Sequence, residues 1–149
     1  MAELRRETRE RAAQIEAALE IEAPIDLVWA VLVDYPRYSV WNPLLVRVEG
    51  AAREGEELTV YSGDGASVRD KTQVCVERVD PPRELRWSDA RGEPARVWRL
   101  HALGPTGTRI VHACAVLGAQ LAAEARSELL RELGRMNVAL RIQTETRFS

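Results

Sequence analysis

Three side chains of reactive type fall on what reads as the inner face of a sheet: Asp89, His112 and Cys114. A carboxyl and an imidazole on one inner wall would make a proton-shuttling pair, since burial favours the neutral acid and a nearby imidazole favours the carboxylate. Asp89 and His112 are therefore the catalytic candidates. Each has a plainer reading. Asp89 lies near Gly92 at a strand end, where side chains mostly meet solvent. His112 suits a hydrogen-bonded wall histidine as well as a base. Cys114 shares a strand face with His112, but a nucleophilic thiol also needs hydrogen-bond reach and a third, orienting group, and neither is visible. Cys75, between Val74 and Val76, alternates to the polar face. No third ligand is spaced to join His112 in a metal site, and no cofactor motif is present. The loop Ser62-Gly63-Asp64-Gly65-Ala66-Ser67 lacks the lysine and the following helix of a phosphate cradle and reads as a hairpin.

The elements that must position these residues follow from periodicity. Ile15, Ala17, Leu19 and Ile21 alternate with glutamates, the pattern of a half-buried strand. Pro24 suits the first turn of a helix and Asp26 its positive end, and Leu27, Val28, Val31 and Leu32 give that helix an apolar stripe. Pro36 is expected to end it, and Pro43 to bend the chain after Trp41 and Asn42. Strands are then expected over 44–49, 57–62, 70–79, 84–90, 95–103 and 108–117, separated by Gly- and Pro-rich turns. Such spacing indicates an antiparallel meander. Apolar residues at helical spacing from Leu121 to Leu140 predict a long helix over about 119–147.

Composition narrows the function classes. A chain of 149 residues reads as one domain, with residues 1–13 a charged extension and 14–149 the folded unit. Apolar residues are 46% and charged residues 30%, ordinary for a globular protein. A net charge of −2 gives no basic footprint for nucleic acid, so no nucleic-acid partner is expected. No run approaches the length of a membrane span. The first residues lack the apolar core of a secretory signal, so a cytoplasmic location is the expectation. Lys71 is the only lysine beside many arginines, a bias that fits a GC-rich, bacterial genome.

The order of elements resembles the helix-grip fold of the START-like (SRPBCC) superfamily, in its polyketide cyclase-dehydrase-like branch. The resemblance covers about residues 15–144. It is carried by Ala23-Pro24 with Val28-Trp29, Tyr38 and Trp41-Asn42-Pro43, and Val48-Glu49-Gly50. Pro82 with Leu85-Arg86-Trp87, Gly107-Thr108-Arg109 leading to His112, and Asn137 with Ala139-Leu140 complete it. It implies an α+β fold in which a curved antiparallel sheet of about seven strands wraps a long C-terminal helix, with two short helices after the first strand. It also implies an internal apolar cavity between sheet and helix. Many relatives of the bacterial cyclase-like branch carry a Glu at the position of Cys114, with an aromatic residue expected at that of Val116, so an acid-dependent activity is not expected to transfer to this chain.

Strand alternation then proposes a ligand-binding wall of Trp87, Asp89, Trp98, His112 and Cys114, with Leu129, Leu133, Met136 and Asn137 of the last helix as lid and Trp41 at one end. Val46 and Val48 are read as pointing inward together. Trp87 and Trp98 would offer a flat ligand area and an N–H donor, or would pack the core. Three functions compete. One is binding of a hydrophobic small molecule, such as a polyketide, isoprenoid or lipid. Another is a polyketide cyclase or aromatase acting in the same cavity through Asp89 and His112. The third is an Hsp90-activator-like interaction module using residues 1–13. A monomer or homodimer is compatible with each.

Overall fold

The structure, a computed structural model, describes residues 14–64, 67–92, 94–115 and 123–149. The expectations for residues 1–13, for Gly65 and Ala66 in the hairpin, and for Val116 to Leu121 lie outside these.

The chain runs β1 (Gln14–Ile21), α1 (Ile25–Leu32), a 3-10 turn (Tyr35–Arg37), α2 (Tyr38–Trp41), β2 (Leu45–Glu49), β3 (Glu57–Asp64), β4 (Ser67–Asp80), β5 (Glu84–Ser88), β6 (Pro94–Ala102), β7 (Thr108–Ala115) and α3 (Ala123–Phe148). The strands form one antiparallel sheet of seven in the order β1-β7-β6-β5-β4-β3-β2. It curls into a half-barrel around α3, which is the helix-grip α+β fold. Among the described residues no helix is long and apolar enough to cross a membrane.

Four β-bulges account for the curl, because each adds a residue to one strand and increases the local twist. Val46 is extra between the pairs Leu45–Ser62 and Arg47–Tyr61. Arg69, Glu77 and Ala95 are extra in β4 against β3, in β4 against β5, and in β6 against β5. The first corrects a sequence expectation. Uninterrupted alternation would turn Val46 inward with Val48, but the bulge lets Leu45 and Val48 be the buried pair. Close approach at the bulge between β3 and β4 explains Gly63: a Cβ there would sit 1.8 Å from the Ser67 carbonyl oxygen.

The corner between helices and sheet is built locally. Helix α1 ends at Leu32, before the proline expected to stop it, and Pro36 instead opens the 3-10 turn. That turn buries Tyr35 and delivers Tyr38 into the core, where its hydroxyl donates to the Leu32 carbonyl. Asn42 accepts from the N–H groups of Leu44 and Leu45 at 3.0 and 2.9 Å, holding the chain as it turns into β2.

Helix α3 packs over β1, α1 and the adjoining part of β7. Leu133, Met136 and Leu140 are its buried apolar face. Asn137 donates from Nδ2 to the Ala17 carbonyl at 3.0 Å, which fixes the helix against β1. The Glu145 carboxylate accepts from the Glu22 N–H at 2.8 Å at the other end of the same contact.

Candidate functional site

Register across the sheet arranges the inner face in rows, because directly paired residues point the same way. One row runs Ala17, His112, Trp98, Leu85. The next runs Ile15, Cys114, Arg96, Trp87, Val76. The two rows differ by a single alternation along each strand, and they have opposite characters.

The first row is closed. Trp98 and His112 have no exposed surface. Their rings stack at 4.8 Å with 21° between planes, and Trp98 meets Trp87 edge to face at 4.8 Å. Burial, and then the Arg96 guanidinium, push the His112 pKa well below its ordinary value, so the ring is neutral. Its Nε2 lies 2.9 Å from Arg96 Nη1. A guanidinium can only donate, so Nε2 accepts and the proton resides on Nδ1. That Nδ1 is buried with no hydrogen-bond partner among the described residues, as are Trp98 Nε1 and Asn137 Oδ1.

The second row opens onto a cavity of about 480 Å³. Trp87, Arg96 and Cys114 line it, together with Leu45, Val60 and Val74 and with Asp89 and Arg91 from the turn after β5. The bulge at Ala95 places that residue in the wall as well, where regular alternation would turn it out. Trp87 is held in place: its Nε1–H donates to the Tyr35 hydroxyl at 3.1 Å, and the two rings meet edge to face at 5.7 Å. Burial raises the Tyr35 pKa well above the ordinary phenol value, against a smaller lowering effect of that Trp87 bond, so Tyr35 is a neutral support.

Of the residues proposed from the sequence, Trp87, Asp89 and Cys114 line the cavity. Trp98 and His112 lie in the closed row beside it. Asp89 is in the turn after β5, accepts from the Arg91 N–H at 2.9 Å and pairs with the Arg91 guanidinium at 3.6 Å. No hydrogen bond or ion pair joins Asp89 to His112 among the described residues. Leu133 and Met136 are fully buried packing residues, Leu129 is half-buried against the same core, and Asn137 makes its bond to β1. None of these four lines the cavity. Trp41 packs edge to face on Tyr38 at 5.1 Å, away from it. Cys75 is half-buried, with its neighbour Val76 taking the inward place. No cluster of three or more metal-ligating side chains occurs among the described residues.

Arg96 escaped the sequence reading. Parity with Trp98 and Leu100 carries the signal, since all three alternate to one face of β6. An arginine on a strand is ordinarily assigned to solvent, and that habit hid it.

The comparisons agree with this architecture. The family described as polyketide cyclase / dehydrase and lipid transport matches residues 12–140. A protein from Nitrosomonas europaea shares the fold with a TM-score of 0.71 at 18% identity, over 92% of this chain and 97% of its own. A START superfamily protein from Mycobacterium smegmatis gives 0.72 at 15% identity, over 90% and 98%. The Zhui aromatase/cyclase from Streptomyces sp. R1128 gives 0.68 at 20% identity, over 91% and 95%. A search of curated proteins returned no match. The matched family spans most of the chain and the helix-grip fold is present, so this protein belongs to the polyketide cyclase/dehydrase and lipid transport family.

Proposed function

We propose that this protein binds a hydrophobic small molecule of the polyketide, isoprenoid or lipid-like kind in the cavity walled by Trp87, Arg96 and Cys114. The observation that carries the reading is the cavity itself. At about 480 Å³ it falls within the range of small-molecule pockets, and its wall is mainly apolar with a few polar groups. Family membership points the same way. Binding is favoured over acid–base turnover because the pair that would shuttle protons is not assembled. Asp89 engages Arg91, and His112 is neutral, sealed and committed to Arg96.

Cys114 provides the test, since it is a half-buried thiol in the cavity wall. In a Cys75→Ser background, N-ethylmaleimide labelling of Cys114 is followed by mass spectrometry with and without N-phenyl-1-naphthylamine, a neutral apolar probe. Saturable probe fluorescence together with slowed Cys114 labelling is expected. Probe binding that leaves the labelling rate unchanged would place the ligand elsewhere and refute the reading.

A further inference from the structure

We infer that the ligand is an amphiphilic acid, whose anionic group is met by Arg96 and whose apolar body lies on the Trp87 side of the cavity. This rests on the binding reading above and adds the charge of the ligand.

The first support is the imbalance of charge around the cavity. Its charged lining residues among those described are Asp89, Arg91 and Arg96, one carboxylate against two guanidiniums. Asp89 already pairs with Arg91. Among the described residues no carboxylate lies within ion-pair distance of Arg96. A partly buried cation without a counter-charge is unfavourable, and a bound anion relieves it.

The second support is orientation. The described polar partner of Arg96 is a neutral imidazole, which accepts one hydrogen bond from Nη1 and removes no charge. His112 is therefore a positioning residue: it fixes one arm of the guanidinium by a bond at 2.9 Å and is itself fixed by stacking on Trp98. The remaining donors of the planar fork are available for an oxyanion, the group that guanidinium binds in paired geometry. The in-register neighbours Trp87 and Cys114 keep the surroundings of that fork largely apolar.

The outer face of the same strand supplies the control. Arg99 pairs with Glu84 at 3.3 Å, and Arg78 and Arg86 reach the same carboxylate at 3.4 and 3.0 Å. Outward arginines here have an acid at hand; the inward one has an imidazole.

The experiment compares 8-anilinonaphthalene-1-sulfonate with N-phenyl-1-naphthylamine, which share an aromatic body and differ by the sulfonate. Both are titrated into the full chain and into Arg96→Gln, Arg96→Lys, His112→Phe and Arg99→Gln. The wild type is expected to favour the sulfonate by about ten-fold or more, the size of one charge-assisted contact. Arg96→Gln should abolish that preference with little change for the neutral probe, and Arg96→Lys should retain part of it. His112→Phe should lower the ratio without abolishing it, a change that simple loss of packing would not produce. Arg99→Gln should leave the ratio as in wild type. If the neutral probe binds but the ratio is near one, or the ratio survives Arg96→Gln, the acidic ligand is refuted while the cavity stands. If Arg96→Gln does not fold, Arg96→Lys takes its place: a ratio reduced but above one supports the acidic ligand, and a ratio undiminished from wild type refutes it. Failure of both probes to bind would overturn the binding reading and this inference together.

Discussion

Two neighbouring rows of the inner sheet, Leu85-Trp98-His112 and Trp87-Arg96-Cys114, come from the same three strands and differ by one alternation. The first is sealed, aromatic and neutral. The second carries a cation and faces a cavity. What separates them is the bulge at Ala95, which ends regular pairing between β5 and β6 beside the second row. The sheet thus packs its core with one row and lines a cavity with the next. Substitutions in the closed row should fall on stability, and substitutions in the open row on ligand recognition.

The largest effect expected is at Trp98. Truncation to Ala removes a fully buried indole that contacts both Trp87 and His112, and should lower stability by about 3–5 kcal/mol. Urea denaturation measures it; a loss below about 1 kcal/mol would show that the row is not the packed core described here. The second effect is a pH dependence. The folded-state pKa of His112 lies well below its ordinary value, so the unfolded chain binds a proton that the folded chain resists. Stability is therefore full above about pH 6.5 and falls as pH drops below it, by up to about 1.4 kcal/mol per pH unit. His112→Gln should flatten the curve between about pH 6.5 and 5, and an unchanged slope would contradict a sealed neutral ring.

In the open row, Arg96→Met should change stability by less than about 1 kcal/mol, or raise it, because a cation leaves a partly buried site. A drop of several kcal/mol would show Arg96 to be a structural residue. The smallest effect is expected on the outer face. Arg99→Gln weakens one member of the Glu84 cluster on a partly exposed side chain and should lower stability by about 1 kcal/mol or less, with probe binding unaltered.

Much of the fold was legible in the sequence, for identifiable reasons. In β1, Ile15 and Ile21 are buried while Gln14, Glu16 and Glu20 are exposed, so period-2 alternation located that strand and its inner face. Pro24 precedes α1, and the Gly- and Pro-rich segments separate the strands as turn chemistry requires. The bulges were not legible, because each depends on how a strand pairs with its neighbour and leaves no local mark. That is why Val46 was assigned inward and why Ala95 went unnoticed in the cavity wall.

The site was legible in part. Period-2 spacing placed Trp87 and Cys114 on the inner face, and both line the cavity. It could not tell which inward residues are covered. Trp98 and His112 point inward too, yet they are sealed, stacked on each other with Trp87 against Trp98. Leu133 and Met136, read as a lid, fill the space beneath α3 with the core and leave the cavity to strand residues.

The central claim is that ligand enters the open row and not the space under α3. Intermolecular NOEs from bound N-phenyl-1-naphthylamine to assigned methyl groups test it directly. The expected contacts are to the methyls of Val60, Val74, Ala95 and Ala115 in the cavity wall. Contacts to Leu133, Met136 and Leu140 instead would place the ligand between helix and sheet and contradict the division of the inner face proposed here.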